Sequence, residues 1–252
     1  MSSKIPVGVQ LWSVHKDITR DLPGALEAIA KMGYQGVETA GLGDTPPKTW
    51  RKLLQDCGLG VAGAHVGLET LEGDAFQATL DAYGEIGCRR FNVPGLAGKY
   101  TGSLDGYRRA CAALNHVAAR ARSQGCFVGY HNHASEFGLI ENRVPFALML
   151  DCLTSDVEVQ FDIGNMSCTG ADGAAYIRTL PGRAKTLHVK AYKRDAPAAL
   201  VGEDSVPWAS VFDACETVGG TEWYIVEHEE YGSLAPMACI EGCLRNLRAM
   251  GK

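Results

Sequence analysis

The chain has 252 residues, 46% of them hydrophobic, and a formal net charge of −5 at pH 7. Its length and apolar share suit one eight-stranded α/β barrel, so a single domain over 1–252 is expected. The acidic balance is spread along the chain with no basic block, which argues against nucleic acid as a partner, and no apolar run reaches the 18 residues of a membrane span.

Nine cysteines stand singly, without a CxxC pair and in odd number, the pattern of small buried hydrophobes in a reducing cytoplasm. The N-terminal MSSKIPVGVQLW holds too short an apolar run for a secretion signal, and a cytoplasmic location is expected.

In chain order the predicted strands are VGVQLW (7–12), GVET (36–39), VAGAHV (61–66), RFNVP (90–94), FVGYHNH (127–133), VEVQFDI (157–163), KTLHVKAY (185–192) and YIVEHE (224–229). Helical segments alternate with them. Leu22, Ala25, Leu26 and Ile29 share one helix face ahead of Gly33, which suits a C-terminal cap. Ser103 is placed to cap a helix striped by Leu104, Tyr107, Cys111, Leu114 and Ala118 and ended by Gly125. A last helix over roughly 234–250 carries Met237, Ile240, Leu244 and Leu247, with Cys239 and Cys243 four apart for packing.

This repeat predicts an α/β fold, a (β/α)8 TIM barrel. An open doubly wound sheet is disfavoured because no GxGxxG follows the first strand. The loops after Phe137 and Tyr192 are expected to be the longest and to overhang the mouth.

Side chains alternate along a strand, so each run divides into a helix-facing and a lumen-facing set. With Val7, Val9, Val128, Tyr130, Val157, Val159, Phe161, Leu187, Val189 and Val226 facing the helices, the lumen receives Gln10, Trp12, Glu38, His65, Asn92, His131, His133, Asp162, His188 and Glu227. Each strand thus brings a polar group to its C-terminal end, where barrel enzymes work. Unpaired, each would cost on the order of 1–3 kcal/mol, so a shared polar site is the economical reading. His131, Asp162, His188 and Glu227 come from consecutive strands. Two imidazoles and two carboxylates suit one divalent ion, Mn, Co, Zn or Fe(II) rather than Mg, with positions left for substrate oxygens.

On GVQLWSV, GYQGVE, YHNHASEF, FDIGNM, LHVKAY and YIVEHE, nearly end to end, the chain resembles the xylose-isomerase-like TIM-barrel superfamily of sugar phosphate isomerases/epimerases, and on YHNHASEF a subgroup within it. The family's Glu, Asp, His, Glu ligand pattern carries over to His131, Asp162, His188 and Glu227, with histidine replacing the first glutamate. In the ketose epimerases of the family the two glutamates are opposed acid/base groups, so this departure weakens a two-base epimerisation. Histidine there is similar to inosose dehydratase and to YHNH proteins that act on 3-keto-glycosides by elimination and hydration.

The expected chemistry is that of a metal-dependent sugar isomerase/epimerase. It would take a proton next to the carbonyl of a keto-sugar or related polyol, through a metal-stabilised enediolate. Alternatives are a metal-dependent lyase or dehydratase, and a sugar-binding barrel without catalysis. The catalytic candidates are His133, Glu136, Lys190 and Glu227. His133 otherwise acts as a hydrogen-bond donor behind the site, Glu136 as a turn cap, and Lys190 as a rim charge. Substrate contacts are expected from Gln10, Trp12, Glu38, His65, Asn92, Asn165 and Glu229, with Trp12 and Trp208 as an apolar wall unless Trp208 is core. The partner is a small sugar or polyol, without a Gly-rich phosphate cradle after strands seven and eight. Pairing into a homodimer stays open.

Overall fold

Short runs of β-branched and aromatic residues, each broken by glycine, proline or a capping side chain, form eight parallel strands in the computed structural model. They are β1 (Val7–Gln10), β2 (Gly36–Thr39), β3 (Gly60–His65), β4 (Arg90–Val93), β5 (Phe127–His131), β6 (Val157–Asp162), β7 (Thr186–Lys190) and β8 (Trp223–Glu227). Residues 4–252 are described, so Met1 to Ser3 of the N-terminal reading lie outside them. Each strand pairs with the next and β8 returns to β1, closing the (β/α)8 TIM barrel expected from the sequence.

The parity argument holds in the packing. Val9, Val128, Tyr130, Val157, Val159, Phe161, Leu187, Val189 and Val226 are all buried under the helices. Such a side chain contributes about 1.5–3 kcal/mol of transfer free energy.

Several strands end earlier than the apolar runs suggest, because a side chain at the end bonds to the backbone ahead. Gln10 Oε1 accepts from Trp12 N (3.1 Å) and turns Leu11–Val14 into a 3-10 helix. Trp12 therefore leaves the lumen and stands 48% exposed. Asp162 Oδ1 accepts from Asn165 N (2.8 Å) and opens the helix Ile163–Ser167. Similarly β5 stops at His131, and His133 precedes the 3-10 turn Ala134–Phe137.

The predicted helices form as Leu22–Met32, closed by left-handed Gly33 (φ 95°), as Leu104–Arg122 and as Pro236–Ala249. Ser103 Oγ accepts from Gly106 N (3.1 Å) at the head of the second. Cys239 and Cys243 pack in the core, and all nine cysteines are free. The loop after Phe137 is a compact hairpin, Ile140 pairing with Arg143 across left-handed Glu141 and Asn142. The longer connection spans 191–207. Neither loop contributes a residue to the lining of the cavity at the mouth.

At the N-terminal end of the strands an ion cluster closes the lumen. Arg90 Nε reaches Glu158 Oε2 (2.5 Å), Arg90 Nη2 reaches Glu222 Oε2 (3.0 Å), and Lys185 Nζ reaches Glu222 Oε1 (3.1 Å).

Candidate metal centre

At the opposite end, consecutive strands β5 to β8 deliver His131, Asp162, His188 and Glu227, all buried, with one donor atom each lying within 4.8 Å of the others. His188 Nδ1 stands 3.1 Å from Glu227 Oε2 and 4.0 Å from Asp162 Oδ2, and His131 Nε2 stands 3.8 Å from Asp162 Oδ2. Donors bound at about 2.1 Å to one ion stand about 3–4 Å apart, so small side-chain movements would close this set.

Asp162 Oδ2 is buried without a hydrogen-bond partner. Burial, reinforced by Glu227 and only partly offset by Lys190 and His188, pushes its carboxyl up to about 7. A carboxylate in that position calls for a cation. Burial and the neighbouring His188 and His65 rings hold His131 well below the usual imidazole range, so it is a neutral nitrogen donor. Against burial, Glu38 and Glu227 raise His188 to about 10. Likewise His188 and Lys190 overcome burial to keep Glu227 ionised. Two nitrogens and two carboxylate oxygens, one of them orphaned, fit a divalent transition ion, whose binding would displace the Nδ1 proton of His188.

Each donor is held from behind. Glu38 Oε2 takes His188 Nε2 (2.5 Å) and Gln10 Nε2 (2.8 Å), while Glu38 Oε1 takes Gln160 Nε2 (2.7 Å) and Asn92 Nδ2 (3.0 Å). Burial alone would raise the Glu38 carboxyl, but His65 and His188 hold it well below its ordinary value. Gln160 Oε1 lies 3.0 Å from His131 Nδ1 and 2.8 Å from His65 Nε2. On the Asp162 side, Asn132 Oδ1 accepts from Asp162 N (3.0 Å), and Asn165 Nδ2 donates to Asn132 O (3.2 Å). Carboxylates and amides behind imidazole ligands are the usual way such sites set ring orientation.

Above the cluster opens a cavity of about 370 Å³, lined by Trp12, His65, His131, His133, Lys190, Glu227 and Glu229, with Ala40, Gly41 and Pro94. Its volume suits a small-molecule ligand. Lys190 Nζ bridges Glu227 Oε2 (3.3 Å) and Glu229 and lies 3.8 Å from Asp162 Oδ2. Those carboxylates outweigh burial and keep it a cation. Burial lowers the His133 imidazole, so it is neutral at the cavity wall.

The other sequence candidates lie elsewhere. Gln10, Glu38 and Asn92 are fully buried beneath the cluster with no surface on the cavity. Asn165 braces Asn132. Glu136 accepts from His133 N and Ser135 Oγ, both at 2.5 Å, the capping geometry rather than a cavity position. Trp208 is core, stacked on Phe212 with Nε1 donating to Asp204 Oδ2 (2.9 Å).

Sequence reasoning passed over Gln160 and Thr186, each two residues before a ligand and so of inward parity, and Asn132, whose parity is outward. The same alternation would have found the first two.

A family model described as xylose isomerase-like TIM barrel matches residues 26–246. Among solved structures the chain is similar to a sugar phosphate isomerase/epimerase from Parabacteroides distasonis (18% identity, TM-score 0.86, 98% of this chain and 95% of that one). It is also similar to an L-ribulose 3-epimerase (18%, 0.71, 98% and 94%) and to a D-allulose 3-epimerase from Methylomonas sp. in complex with D-allulose (17%, 0.73, 98% and 97%). At these identities the likeness establishes the fold. No curated protein gives a significant match to the sequence. The matched segment runs from the helix Leu22–Met32 into the helix Pro236–Ala249, and so takes in almost all of the closed barrel and every side chain of the four-donor cluster: the chain belongs to the xylose isomerase-like TIM barrel family.

Proposed function

We propose that this chain is a divalent-metal-dependent sugar isomerase or epimerase that removes a proton next to the carbonyl of a keto-sugar or related polyol. The observation that carries the reading is the convergence of His131, Asp162, His188 and Glu227, with Asp162 Oδ2 unpartnered, at the base of a cavity of about 370 Å³. These four residues would hold the ion. When bound, it supplies Lewis-acid polarisation of a carbonyl and a positive charge to face the oxyanion that develops.

The chain's own groups do the rest. Glu229 is a cavity carboxylate outside the four-donor set and is the proton acceptor in this reading, with His133 as its partner from the β5 side. Lys190, fixed between Glu227 and Glu229, gives substrate oxygens a cationic contact. Glu136 holds the turn that aims His133. Gln10, Glu38 and Asn92 act from beneath, through the ligands, while Trp12 and His65 border the sugar.

A second reading, elimination of a β-leaving group after the same proton abstraction, draws on His131. A neutral imidazole there replaces the carboxylate that the resemblance leads one to expect, and the opposed pair of carboxylate bases is missing.

Metal content of purified protein, measured before and after reconstitution with Mn, Co and Zn alongside His188→Ala, tests the core of the proposal. One ion per chain, lost in the variant, is the expected result. An ion-free protein under every condition would reduce the cluster to a hydrogen-bonded core and end the enzymatic claim. Turnover of keto-sugars in D2O then separates the readings: deuterium in a product of unchanged skeleton marks isomerisation, and loss of water or an aglycone marks elimination. Metal bound with no turnover on any keto-sugar would leave a binding barrel.

A further inference from the structure

Hydrogen-bond direction inside the lumen can be traced from an unambiguous donor. Trp12 N is a backbone N–H, so the Gln10 atom facing it at 3.1 Å is the carbonyl Oε1, and the Gln10 amide nitrogen is the atom on Glu38 Oε2 (2.8 Å). Glu38 also receives His188 Nε2 on Oε2 and Asn92 Nδ2 on Oε1. Both of its oxygens are thus acceptors.

The Gln160 amide next to it must therefore turn its nitrogen towards Glu38 Oε1 (2.7 Å), where the second N–H reaches Thr186 Oγ1 (2.9 Å). Its carbonyl oxygen then faces His131 Nδ1 (3.0 Å) and His65 Nε2 (2.8 Å). A carbonyl only accepts, so both ring nitrogens must carry hydrogen. His131 is left with its Nε2 lone pair towards Asp162, the direction an ion needs. Flipping the amide would set its carbonyl against the Glu38 carboxylate.

We infer that Gln160 is a positioning residue of the metal centre, an amide that passes the acceptor character of Glu38 on to His131 as a fixed tautomer and ring orientation, whereas His65 Nε2 also meets Glu38 Oε2 directly at 3.2 Å. This rests on the metal-centre reading of the four-donor cluster. Gln160 is fully buried and absent from the cavity lining, so it acts only through the rings it holds.

The test combines Co(II) titration of wild type and Gln160→Met with NMR of ion-free, 15N-histidine-labelled wild type, which reads ring tautomers directly. Loss of a partner behind a ligating histidine typically lowers affinity ten- to a hundredfold, and that drop is expected in Gln160→Met with a changed Co(II) visible spectrum. The wild-type spectra should show His131 protonated at Nδ1 and His65 at Nε2. A folded Gln160→Met with unchanged affinity and spectrum would overturn the inference. So would His131 protonated at Nε2, a result that needs no variant and stands even if Gln160→Met does not fold. A wild type that binds no Co(II) at all sinks the metal-centre reading instead, while the tautomers still decide how Gln160 is oriented.

Discussion

Asn92 Oδ1 is buried and unpartnered, and it leaves so little room that a Cβ built on Gly129 would meet it at 2.3 Å. The neighbouring strand backbone, Glu158 O, would stand 3.3 Å from the same atom. Gly129→Ala is therefore expected to cost about 1–3 kcal/mol through overpacking. At about 2–4 °C per kcal/mol for a chain of this size, calorimetry should show the melting point fall by several degrees. Ion affinity should drop with it, because Asn92 supports Glu38. At this scale the four-residue cluster was legible in the sequence, since strand parity alone brings His131, Asp162, His188 and Glu227 to one mouth. Gln160 obeys the same parity but escaped notice because a neutral amide shows its value only once its neighbours' donors and acceptors are in place. Trp12 broke the rule for a local reason, the Gln10 side chain ending the strand two residues before it.

Elements were easier to foresee than their ends. Apolar runs of four to eight residues cannot hide as loops, and all eight predicted strands form. Where each stops depends on whether a polar residue at its end bonds forward into the next turn, as Asp162 does to Asn165 N, and sequence pattern does not distinguish that from a ligand. Asp162 is in fact placed for both: Oδ1 caps and Oδ2 stays free. The helix Leu104–Arg122 offers a contrast far from the site. Ser103→Ala removes its N-terminal acceptor for Gly106 N and should cost about 1 kcal/mol in urea unfolding while leaving ion affinity unchanged. A loss of ion binding in that variant would mean that helix ends and mouth are coupled through the barrel.

For the molecule as a whole, the acid limit of stability is expected to come from the ion cluster at the N-terminal end of the strands. Burial would raise the Glu222 carboxyl, but Arg90 and Lys185 hold it below its ordinary value. A carboxyl depressed in the folded state stabilises fully above its unfolded value of about 4.3, and that contribution is lost as pH falls through the folded value. On the acid side, unfolding midpoints should therefore fall below about pH 4, and the fall should be shallower in Glu222→Gln. Arg90→Met should cost about 3–5 kcal/mol near neutral pH, because it leaves Glu158 buried without its partner, and less in acid, where the carboxyl is protonated. The same plug has a consequence for isotope bookkeeping. Arg90, Glu158 and the buried Gln10, Glu38, Asn92 and Gln160 fill the lumen, so in the proposed reading a seated sugar would stand between the mouth and the groups that move the proton. Under the proposed proton abstraction, a hydrogen lifted from the substrate would compete with few solvent hydrogens before its return, so product from substrate tritiated at the reacting carbon should keep part of its own label, and the retained fraction would time the visit of water to the site.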